Sequence, residues 1–194
     1  TSVPIAAVDL SRSFPLVTVR NAGGEWAGAD FIRARLGGAS SLELHINNVS
    51  STPYVEWQVV EYAEAVVQHG DLSLAEGASS VTVPVVAVNP GRAWLITSYQ
   101  ANFVDIPSIG ERLIRGRVTS STSLVFDRAV ATGSTDVSWS LVEFTDGTEV
   151  RHASQHFNAG EAQRDVAITA VEPARALAVG GYETTGGSSP YVSD

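Results

Sequence analysis

Val55-Glu-Trp57-Gln-Val-Val-Glu61-Tyr62 and Val137-Ser-Trp139-Ser-Leu-Val-Glu143-Phe144 are two versions of one segment. In the second, Val137, Trp139 and Leu141 alternate with serines, the period of a strand with one buried face. Trp57 and Trp139 fall on the alternating apolar face of their copies and read as equivalent core tryptophans, one per repeat. Other blocks recur in the same order around this pair. Val3-Pro-Ile-Ala-Ala-Val8-Asp9-Leu-Ser-Arg12-Ser-Phe14 returns as Val83-Pro-Val-Val-Ala-Val88-Asn89-Pro-Gly-Arg92-Ala-Trp94. It returns once more as Val166-Ala-Ile-Thr-Ala-Val171-Glu172-Pro-Ala-Arg175-Ala-Leu177. Phe31-Ile-Arg33-Ala-Arg35-Leu36 matches Leu113-Ile-Arg115-Gly-Arg117-Val118, and Val67-Gln-His69-Gly70 matches Val150-Arg-His152-Ala153. A period of about eighty residues marks an internally repeated architecture.

The runs between these anchors are strand-like. Ser41-Leu-Glu-Leu-His-Ile46 alternates, and turn formers such as Gly37-Gly38, Asn89-Pro90-Gly91 and Asp146-Gly147 separate the runs. Asp146-Gly147, between Phe144 and Val150, has the chemistry of a hairpin tip. Residues 160–165 could make one turn of helix at most. The expected fold is all-β: two tandem antiparallel β-sandwich units plus the opening strands of a third repeat. The units are placed at residues 1–80 and 81–164, with 165–194 a partial third repeat ending in a Gly/Ser-rich tail that reads as flexible.

Composition excludes several function classes. The chain has 194 residues, net charge −9 and a pI near 4.8, with no cysteine. Disulfides and thiolate metal sites are therefore out, and a nucleic-acid surface is not expected without a basic stripe. No apolar run is long enough for a transmembrane helix, so membrane insertion is not expected. The chain starts at Thr1 rather than Met, which reads as either a trimmed chain or a piece of a longer one. The lack of cysteine and the acidic balance fit an extracellular, cell-surface or virion setting.

The blocks around Trp139 resemble the H-type lectin domains of invertebrate agglutinins. The resemblance rests on Val67-Gln-His-Gly70, Leu113-Ile-Arg115-Gly-Arg117-Val118, Ser121-Thr-Ser-Leu124-Val-Phe126 and Ser138-Trp139-Ser-Leu-Val-Glu143, in that order, over residues 66–144. It implies a six-stranded antiparallel sandwich. In that family a Trp-His pair before the final strand grips the sugar. The matching loop here, residues 126–136, has neither residue. The first repeat matches from Val3 to Tyr62 and lacks the opening strand.

Catalytic signatures are missing: there is no Gly-x-Ser-x-Gly elbow, phosphate loop or dinucleotide fingerprint. No enzyme activity, cofactor or metal is expected. His152 and His156 would lie about 13 Å apart on a strand, too far to share an ion. His69 and His152 are repeat equivalents, which suggests a structural role. Asp9, Asn89 and Glu172, each three residues before an arginine, read as turn caps rather than a calcium corner. Arg33, Arg35, Arg115 and Arg117 read as sheet-face ion pairs. Asn48-Val-Ser50 fits an N-glycosylation acceptor.

Two functions are expected from this. One is a non-enzymatic structural or assembly subunit of a filament, fibre or spike, self-assembling as a homo-oligomer or filament. Strand exchange would join its subunits, with Val166, Ile168, Val171, Leu177 and Val179 on the inter-subunit strand between residues 165 and 182. The other is a lectin-like module for a glycan or cell-surface receptor, with Trp26 and Trp94 as candidate ligand-binding residues.

Overall fold

A computed structural model describes residues 1–20, 31–47, 53–102 and 113–184. Trp26, Asn48-Val-Ser50 and the Gly/Ser-rich tail lie outside the described residues. The fold is all-β, with eleven strands among the described residues and no α-helix: β1 Ser2–Pro4, β2 Ser13–Arg20, β3 Arg33–Gly38, β4 Ser41–His45, β5 Tyr54–Glu61, β6 Ala65–Leu74, β7 Ser80–Pro84, β8 Ala93–Ala101, β9 Arg115–Ser120, β10 Ser123–Asp127 and β11 Thr135–Phe144. Every pairing is antiparallel.

The complete sandwich runs from β6 to β11. Sheet β6-β11-β8 faces sheet β7-β10-β9, and Leu74, Leu124, Phe126, Val137, Trp139 and Leu141 fill the space between them. The cut expected at residue 80 therefore falls inside this unit. β6 precedes that cut but pairs along its full length with β11, Trp139 standing opposite Gly70. The reason is steric. The indole lies over the glycine so closely that a Cβ there would come within 2.3 Å of the ring. β1 to β5 repeat β7 to β11 with sheets β1-β4-β3 and β2-β5, and no β6 counterpart flanks β5 among the described residues.

The two units meet face to face. The outer side of β6-β11-β8 presents Val67, Val142, Trp94, Ile96 and Phe144 to Phe14, Leu16, Val60 and Tyr62 of the first unit. Repeat-equivalent residues touch here. Phe14 meets Trp94 edge-on with centroids 5.7 Å apart, and Tyr62 meets Phe144 in the same way at 5.9 Å. β11 is thus buried on both faces. Its serines lie under the first unit, while its Val137-Trp139-Leu141 face lies in the sandwich.

Three local features differ from the reading of the sequence. Asp146-Gly147 does turn the chain, with Gly147 at φ +90° and the Thr148 amide donating to Asp146 Oδ1. It does not close a hairpin, because β11 already has β6 on one edge and β8 on the other. The third-repeat segment from residue 165 forms no strand up to residue 184. Trp57 is 39% exposed whereas Trp139 is 7% exposed, so the two are not equivalent core residues. The covering strand that Trp139 has in β6 has no counterpart beside β5 among the described residues.

Gly70→Ala is expected to lower unfolding stability by about 1–3 kcal/mol, the usual cost of overpacking a filled core. Gly38→Ala, with no atom near the added methyl, should change it far less. Chemical denaturation of the two variants checks this.

Candidate functional site

The residues with most chemistry gather at the seam between the units. Three recurring turns come first. Leu10–Arg12, Pro90–Arg92 and Pro173–Arg175 each form one 3₁₀ turn. Asp9 and Asn89 cap the first two by accepting the Ser11 and Gly91 amides. In the third, Glu172 makes no side-chain cap bond. Asp9 also lies 3.8 Å from Arg12, so the cap of the first turn is bridged to arginine. Among the described residues, no group of acidic or histidine side chains is arranged to hold a metal.

His69 locks the seam. Its Nε2–H donates to the Leu10 carbonyl of the first turn at 2.9 Å, and its Nδ1 meets the buried Ser140 hydroxyl at 3.0 Å. The carbonyl can only accept, so Nε2 carries a proton. His152 repeats the contact one unit later. Its Nε2 reaches the Pro90 carbonyl of the second turn at 3.0 Å, and the Val150 amide donates to Gly91 O at 2.8 Å. The shared role expected for the two histidines is a latch onto the preceding unit's turn.

Asp71, one residue beyond the glycine under Trp139, is the electrostatic centre. Ser138 donates to its carboxylate, Arg35 approaches at 2.6 Å and Arg33 at 3.5 Å, tying β3 of the first unit to β6. Arg35 also pairs with Glu43 at 2.8 Å. Burial pushes the Asp71 carboxyl up, but the Ser138 hydroxyl and the Arg35 guanidinium outweigh it and hold it below its ordinary 3.8. In the second unit Arg115 and Arg117 instead converge on Asp127, which is held low by the same balance. The four arginines are therefore ion-paired. Ser98 completes the seam, accepting from the Ala34 amide and donating to its carbonyl, which occupies the outer edge of β3. A cleft of about 220 Å³ remains, bordered by Arg35, His69, Asp71 and Trp139.

The loop at residues 126–136 is closed by Arg128, which the sequence did not single out. Its side chain is buried and donates to the carbonyls of Ala75, Ala78, Thr132 and Gly133 and, more distantly, to Thr135 Oγ1. A buried charge so satisfied is a structural clamp, and no sequence pattern announces it because its partners are backbone oxygens. Trp94 is not an open stacking platform, since its ring is set against Phe14. Val166, Ile168, Val171, Leu177 and Val179 all lie exposed. The searches of family models, curated proteins and solved structures found no match to this chain.

Two outcomes are expected. Arg128→Met should cost at least about 3 kcal/mol, because several buried carbonyls lose a charged donor at once; thermal or chemical unfolding reads it. For Asp71, a folded-state pKa below the unfolded value stabilises the protein above about pH 3.8 and is lost as pH falls through the lower folded value. Unfolding midpoints measured from pH 6 to pH 2 should fall less steeply in Asp71→Asn than in the parent, from a lower starting point.

Proposed function

We propose that this chain is a non-enzymatic structural subunit of an extracellular or virion appendage, joined to its neighbours through the residues that follow β11. One observation carries the reading. Ile168, Leu177 and Val179 are 63%, 76% and 63% exposed, yet their equivalents in the second unit, Val85, Trp94 and Ile96, pack against the two apolar clusters. Monomeric proteins rarely leave such a row uncovered, and the sequence pattern of core strands is wasted unless partner strands receive it. The turn and the histidine latch repeat from unit to unit in one direction. A heterologous contact of that kind builds a ring or a filament according to whether its rotation closes.

The resemblance to H-type lectin domains supports a second reading, a glycan- or receptor-binding module, for which the cleft bordered by Arg35, His69 and Asp71 is the candidate location. A glycan array without binding removes this option.

A chain ending at residue 147 should remain folded, since β1 to β11 are intact, and should sediment as a monomer at concentrations where the full chain associates. Equal association of both chains would overturn the assembly reading.

A further inference from the structure

We infer that the outer edge of β5 is a strand-acceptor site and that its occupant is residues 148–157 of a second copy of this chain; the inference rests on the self-assembly reading above. The sequence pointed to residues 165–182 as the donor. The strand that β5 lacks, however, is the counterpart of β6, and the chain holds that counterpart earlier. Val150-Arg-His152-Ala153 repeats Val67-Gln-His69-Gly70.

Two geometries meet in this assignment. β11 pairs with β6 and with β8, whereas its equivalent β5 pairs with β2 alone among the described residues. The β5 edge beside exposed Trp57 thus offers unpaired backbone groups and an apolar ring. Residues 151–157 are the complement: exposed, outside any strand, and including the exposed ring of Phe157. The segment is held by its root, with Val150 and His152 on the second turn as His69 is held on the first. In the complete unit the strand carrying that latch goes on to pair with β11. At the next position the described residues supply no β11 counterpart, and β5 of another copy is such a strand.

The β6–β11 register transposes directly. Asp71 opposite Ser138, Gly70 opposite Trp139, and His69 opposite Ser140 become Ser154 opposite Glu56, Ala153 opposite Trp57, and His152 opposite Gln58. One position fits imperfectly. Ala153 carries the methyl that Gly70 lacks, so the Trp57 ring must sit displaced from the place Trp139 takes. Another is electrostatic: Glu149 falls opposite Glu61, with Arg151 two residues along the donor on the same face to offset the like charges.

Because the chain has no native cysteine, single-cysteine variants report the pairing directly. Full-length Glu56→Cys and Ser154→Cys chains are mixed under mild oxidation and the mixed disulfide dimer is measured by mass. Residues directly opposite across an antiparallel pair hold their Cβ atoms about 4.5–5.5 Å apart, near disulfide reach. The expected result is a mixed dimer several-fold above that from Ser154→Cys with Val59→Cys, which is off register and on the opposite face. Adding Ala153→Gly to the Ser154→Cys chain should raise the yield further. A chain ending at residue 164 that carries Ser154→Cys should still cross-link. Association by sedimentation with equal yields in and off register would overturn the donor assignment and leave the assembly reading standing. A monomer at all concentrations would overturn both.

Discussion

Trp139 lying over Gly70 is the contact on which the architecture depends. It fixes the register of β6 against β11, which in turn sets which residues of β11 face the sandwich and which face the first unit, because a slip of one residue would exchange the two faces. With that register, Val137 and Leu141 enter the core, each contributing about 1.5–3 kcal/mol by burial. Ser138 and Ser140 then turn to the seam, where Asp71 and His69 satisfy them. The same strand thereby serves as the middle of one sandwich and the floor of the contact between units.

The first unit shows the consequence of lacking that contact. β5 has the same pattern as β11 and a tryptophan at the same place, yet Trp57 is open to solvent and, among the described residues, the strand is paired on one side only. At the other extreme, the residues after 147 keep the latch and the turn of the repeat and find no sheet to join among the described residues. Among the described residues, one end of the repeat has a strand edge without a partner and the other has a strand-like sequence that joins no sheet. The proposed strand exchange follows from that mismatch.

Much of the fold was legible in the sequence because period-two alternation and recurrence both report on strands. The all-β class, the order of blocks from Val67 to Glu143, the turn caps at Asp9 and Asn89, the ion-paired arginines and the shared role of His69 and His152 could all be read there. The misreadings have a common physical source. Equivalence of Trp57 and Trp139, the hairpin at Asp146-Gly147 and strand structure after residue 165 were each inferred from local pattern. Each depends on whether a neighbouring strand is present, which is a tertiary property. Arg128 and Asp71 stayed hidden for a related reason, since their partners are backbone carbonyls or lie on another unit. The change of unit boundary came from phase: a repeat can be cut anywhere in sequence, and only the pairing of β6 with β11 shows where it folds.

On the proposed strand exchange, β5 is an edge in the isolated molecule and an interior strand in the assembled one, while β11 is interior in both. Amide hydrogen exchange measured on dilute and on concentrated protein tests this. Residues 135–144 should exchange slowly at both concentrations, and residues 54–61 should change from fast to slow exchange as the protein associates. Exchange at residues 54–61 that stays fast in the assembled protein, or is already as slow as that of residues 135–144 in the dilute monomer, would contradict it.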